Sequence, residues 1–145
     1  MLRRLFAPAL LVAMSACEAV APAESRLQVR TDRSEYTRDP VTGLAAISVI
    51  VTNPSGAPAY LSGCPDVPSF VVERHVDGAW REAFQVNLVC LAIYAPSAVT
   101  LLRGQSRASS ATWDFVGTFR VRVPYGTEPR TPFEHASTSA PFVVR

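Results

Sequence analysis

From Leu27 onward, apolar and polar positions alternate with a period of two, in short runs punctuated by glycine, proline and asparagine. The strongest run is Ala45 to Thr52, Ala-Ala-Ile-Ser-Val-Ile-Val-Thr, a nearly continuous β-branched stretch that reads as a central strand of an antiparallel sheet. Asn53-Pro54-Ser55-Gly56 stops it, because proline cannot donate to a ladder and Gly56 permits a turn. The chain is then expected to turn back through Ala57 to Leu61 as a hairpin that runs into Cys64.

The remaining strands follow the same rule. Leu27 to Thr31 alternates, Asp32-Arg33-Ser34 breaks it, and Glu35 to Arg38 reads as a short continuation. Phe70 to His75 and Trp80 to Phe84 flank Val76-Asp77-Gly78-Ala79, where Asp-Gly signals a two-residue hairpin turn. In the return strand Trp80, Glu82 and Phe84 share one face by parity, which puts an acid among aromatics. Val86 to Ala95 is the most apolar stretch past the leader, and fits a strand or a buried helical turn equally. Ala98 to Leu102 and Arg107 to Trp113 are strands. Thr118 to Val123 follows, with Phe119, Val121 and Val123 facing in and Arg120 and Arg122 facing out. Pro124 to Ser139 reads as a long loop and Ala140 to Arg145 as a final edge strand. The fold class is all-β: an antiparallel sandwich of about seven to nine short strands over residues 27–145, with Trp80 and Trp113 in its core.

Composition adds the compartment. Residues 1–16 pair a short basic segment, Met1-Leu2-Arg3-Arg4, with an apolar stretch from Leu5 to Met14, which is a signal-peptide pattern too short to span a membrane. All fourteen basic residues are arginine, and losing Arg3 and Arg4 with the leader leaves twelve against twelve acids. A chain so balanced has no electrostatic footprint for nucleic acid. Residues 17–26 are small, polar and broken by proline, and read as a tether.

Met14-Ser15-Ala16-Cys17 resembles the lipobox of bacterial lipoproteins, whose cysteine is acylated and becomes the mature N-terminus; Met14 stands where the family prefers leucine. The resemblance implies lipidation at Cys17 and a membrane attachment through that lipid. It also implies outer-membrane sorting in the cell envelope, since Glu18 is not the aspartate associated with inner-membrane retention. Ordinary cleavage after Ala21-Pro22-Ala23 is the alternative, and would release a soluble protein without Cys17. With Cys17 assigned to lipid, Cys64 and Cys90 form the remaining pair, and an oxidising periplasm favours a disulfide between them. Closing that loop contributes about 3 kcal/mol on the chain-entropy model. A metal site from Cys64, Cys90, His75 and His135 lacks the spacing such sites use, so no metal and no cofactor are expected.

The runs Val-Thr-Asn-Pro-Ser (51–55), Val-Asp-Gly-Ala-Trp (76–80) and Gly-Thr-Phe-Arg-Val-Arg-Val (117–123) look like immunoglobulin-like domains of bacterial envelope proteins. A narrower likeness is to the intracellular-proteinase-inhibitor type of such domains. No Gly-x-Ser-x-Gly elbow, paired carboxylates or glycine-rich phosphate loop occurs, and His75 and His135 read as solvated polar residues, so no enzyme is expected. The expected binding surface is the disulfide-linked end, with Val67, Leu91 and Tyr94 and with Val67 and Tyr94 exposed; alternatively Leu88, Leu91 and Ile93 only cap the core. The function expected is an envelope module that binds or organises another envelope protein. A soluble periplasmic module for a small ligand or glycan, or a proteinase inhibitor, is the alternative.

Overall fold

The computed structural model describes residues 27–64, 67–86, 99–129 and 133–145. Among them the chain forms thirteen strands and no helix. In order these are β1 (Gln28–Thr31), β2 (Glu35–Tyr36), β3 (Ala45–Thr52), β4 (Ala59–Leu61), β5 (Gly63–Cys64), β6 (Val67–Pro68) and β7 (Phe70–Val76). They continue with β8 (Ala79–Val86), β9 (Val99–Leu101), β10 (Ser106–Trp113), β11 (Gly117–Gly126), β12 (His135–Thr138) and β13 (Phe142–Val144). The count exceeds seven to nine in part because three of these segments are only two residues long.

One sheet is β1-β3-β10, with β3 in the middle as its β-branched run predicts. β3 and β10 pair without interruption from Ser106↔Thr52 to Trp113↔Ala45. Ala45, Ile47, Val49 and Val51 are buried while the residues between them are not. The second sheet is built on β11, whose first half lies between β13 and the β7–β8 hairpin. Its second half lies between β12 and β4, and β4 continues to β9. Ser139 fastens the joint between β12 and β13: its N–H donates to the Val121 carbonyl and its hydroxyl accepts the Val121 N–H. The inner faces meet in one core that includes Ile47, Val49 and Val51 from the first sheet and Phe119, Val121 and Phe142 from the second. Trp113 lies edge-on to Phe119 in that core, with ring centroids 6.1 Å apart. This is the all-β sandwich expected from the pattern.

Four expectations about connectivity are corrected. β3 and β4 are not a hairpin, because β4 pairs with β9 and β11 in the opposite sheet. Asn53–Gly56 is the crossing between layers, and buried Asn53 holds it. The Asn53 side-chain amide donates to the Ala57 and Leu101 carbonyls at 2.8 Å each, and its Oδ1 accepts from the N–H and hydroxyl of Ser55. Likewise Glu35–Tyr36 does not continue β1. The break at Asp32–Ser34 hands the chain to the second sheet, where β2 runs parallel to β13. Three backbone bonds close that pair: Val143 N–H to Ser34, Arg145 N–H to Tyr36 and Arg38 N–H to Arg145. The stretch Pro124–Ser139 contains ordered pairing rather than only a loop. β11 runs on to Gly126, with Pro124 opposite Ala136 of β12, and the last strand is flanked by β2 and β11 rather than lying at an edge.

Candidate functional site

The sheets differ in width, and the β7–β8 hairpin projects past the first. Phe70 to Glu73 are buried, but Arg74 and His75 are exposed and Val76 is half-buried. Asp77 and Gly78 close the hairpin with positive φ at both positions, 51° and 80°, the turn that Asp-Gly favours.

The register slips between Val72 and Glu73, so that Phe84 faces Val72 while Glu82 faces Glu73, and Ala83 is the extra residue of a bulge. The bulge switches parity. Phe84 turns inward, its ring 5.2 Å from Trp113, whereas Trp80 and Glu82 turn outward opposite His75 and Glu73. Trp80 is therefore half-buried on the outer face and outside the core, contrary to expectation. Glu82 is likewise no acid among aromatics.

That outer face is a closed set of charge pairs. Buried Glu73 accepts from Arg120 Nε at 2.6 Å and Arg122 Nε at 2.8 Å. Arg122 also reaches Glu82 at 3.4 Å. Arg120 stacks over Trp80, 4.6 Å from the ring centroid, and His75 tilts against the same ring at 5.0 Å.

The inner face of the overhang is open. A groove of about 310 Å³ is lined by Arg74, Val76, Arg81, Glu82, Ala83, Phe115 and Phe119. The β10–β11 loop forms its other lip, with Phe115 half-exposed and its ring 5.9 Å from Phe84. Arg74 is fixed in place: Nη2 donates to the Val116 carbonyl at 2.9 Å, and the guanidinium carbon lies 5.9 Å from the Phe119 centroid. Gly117 makes room for it, since a Cβ there would stand 3.1 Å from Arg74 Nε. A rigid cation beside exposed apolar surface can take an anionic group and an apolar one together.

Of the residues expected to form the binding surface, Val67 lies in β6 opposite Cys64 and is half-buried rather than exposed. Gly63 of β5 admits no side chain, as a Cβ would collide with the Val67 carbonyl. Leu91, Tyr94, Cys17 and Cys90 lie outside the described residues; Cys64 is described and is not a free side chain. His75 and His135 each lie against an aromatic ring, Trp80 and Tyr125. No group of three metal-ligating side chains occurs among the described residues, and no helix among them is long and apolar enough to cross a membrane. The groove residues Arg74, Arg81 and Phe115 were not singled out by pattern. The available signal was an apolar pair, Phe115-Val116, inside a turn.

No protein-family model and no curated protein matches the chain. Among solved structures it is similar to the CARDB domain of PF1109 from Pyrococcus furiosus, at 14% identity and a TM-score of 0.38, over 83% of this chain and 94% of that one. It is similar also to the structural-genomics protein SoR45, at 14% identity and a TM-score of 0.40, over 82% and 84%.

Proposed function

We propose that this is an exported, lipid-anchored protein of the bacterial envelope whose β-sandwich binds another envelope protein and catalyses no reaction. The observation that carries the binding role is the groove under the β7–β8 overhang, with half-exposed Phe115 on one lip and Arg74 fixed in its wall. Rigid loops and hairpins projecting from a packed sandwich are where recognition is usually placed. The anchor rests on the leader and on the lipobox-like Met14-Ser15-Ala16-Cys17, and the Cys64–Cys90 bridge on the odd cysteine count.

Two measurements test the reading. Intact mass from the native membrane fraction should give an acylated chain beginning at Cys17, with Cys64 and Cys90 alkylated only after reduction. A chain starting near Glu24, or thiols alkylated without reduction, overturns the anchor or the bridge respectively. For the binding role, a photoreactive amino acid at position 115 should crosslink one discrete envelope protein in intact cells. The control position is Thr100, exposed on β9. Equal, diffuse labelling from both positions counts against the module.

A further inference from the structure

We infer that the groove receives an acidic side chain flanked by an apolar one, presented by an extended segment of the partner protein; the inference rests on the protein-binding reading above. In the antiparallel register Arg74 stands directly opposite Arg81. Like charges placed so repel each other and weaken the hairpin, and the nearest acids in the same two strands do not relieve them. Glu73 and Glu82 lie on the outer face by register, with their carboxylates on Arg120 and Arg122. Among the described residues the Arg81 side chain has no hydrogen-bond or ion-pair partner, while Arg74 spends one N–H on the Val116 carbonyl. Two guanidinium groups therefore face an open groove with donors to spare, one of them held in position before any partner arrives. A carboxylate between them would gain charge-assisted hydrogen bonds and cancel the repulsion.

The apolar half of the recognition is beside it. Phe115 and Val116 are 50% and 43% exposed, two of the five large apolar side chains that stand out at the surface among the described residues. Val76, Ala83 and the Phe119 ring complete an apolar lining next to the cations. About 310 Å³ holds one or two side chains, not a long polymer.

Titration calorimetry on the full chain extracted from membranes tests this with two blocked peptides, acetyl-Gly-Phe-Glu-Val-Gly-amide and its glutamine counterpart. The glutamate peptide should bind about tenfold more tightly, the usual worth of a charge-assisted bond. Arg81→Gln should remove that preference while leaving the thermal midpoint unchanged or raised, because it also removes the repulsion. Arg81→Glu places a carboxylate of the protein itself opposite Arg74 and should abolish the preference for the glutamate peptide. Equal binding of the glutamate and glutamine peptides, binding of neither, or a preference that survives Arg81→Gln overturns the acidic recognition. Displacement of the peptide by 3-phenylpropionate at equal affinity makes this a site for free carboxylates instead. A discrete crosslink from position 115 without peptide discrimination leaves the module standing and this inference fallen; absence of both ends both.

Discussion

β3–β10 and β7–β8 are both long antiparallel pairs, yet they are built to opposite ends. The first keeps one register throughout, and the inward face of its β3 strand is buried along its whole length. The second is interrupted by Ala83, carries charge on both faces near its tip, and projects beyond the opposing sheet. Regular pairing suits a strand whose only duty is to fill a core, since a one-residue slip would expose every inward side chain. A bulge lets the other pair serve two masters: Phe84 stays in the core while Trp80 and Glu82 join a layer of charge pairs outside.

The contrast can be broken in graded steps. Phe119→Ala should cost most, about 3–5 kcal/mol, because both layers pack on that ring. Denaturant unfolding measures it, and a loss below about 1 kcal/mol would mean the sheets do not share one core. Deleting Ala83 removes the parity switch and forces either Phe84 out of the core or Glu82 into it. The expected loss is about 2–3 kcal/mol, read as a lower thermal midpoint together with altered tryptophan fluorescence. Glu73→Gln leaves Arg120 and Arg122 close together without their shared carboxylate. A loss of about 1–2 kcal/mol is expected, tempered by the partial exposure of both arginines. Hydrogen exchange should report it in β7 and β11 and leave β3–β10 protected; uniform loss of protection would erase the distinction drawn between the two pairs.

The smallest effect belongs to the β1–β2 break. The Tyr36 hydroxyl donates to Asp32 and, with the Ser48 N–H, holds that carboxyl below its ordinary value. Burial, reinforced by the same bond, pushes the Tyr36 phenol up. A carboxyl whose pKa is depressed by folding stabilises above its unfolded value, and that stability drains away as pH falls through the folded one. The wild type should therefore lose stability below about pH 4 more steeply than Asp32→Asn, measured as thermal midpoint against pH. Parallel curves would show that Asp32 does not contribute.

Much of this was legible because burial on one face writes itself into sequence. Ile47, Val49 and Val51, and Phe119, Val121 and Val123, alternate with polar or half-buried neighbours and all point inward. Asp77-Gly78 gave its turn for a local steric reason that no distant contact alters. What stayed hidden depends on pairing between distant segments. Ala83 is an ordinary small residue whose role as a bulge exists only opposite Val72 and Glu73. Asn53-Pro54-Ser55-Gly56 announces that a strand stops, but the choice of β9 and β11 as the next partners is made elsewhere in the chain. The groove was hidden for the same reason, since Arg74, Arg81 and Phe115 meet only through the register and the unequal width of the sheets.

The parallel β2–β13 pair also has a mechanical meaning. If the chain is held at the membrane through its leading segment, tension reaches the domain at Leu27 and passes through β1 into β2. A load between Leu27 and Arg145 then pulls β2 and β13 in opposite directions along their common axis, straining their three backbone bonds together instead of one after another. Antiparallel neighbours loaded at one end unzip singly; this pair must shear. Force spectroscopy between those two points should therefore show a resistant step, and its disappearance on replacing Glu35 by proline would locate the clamp in β2.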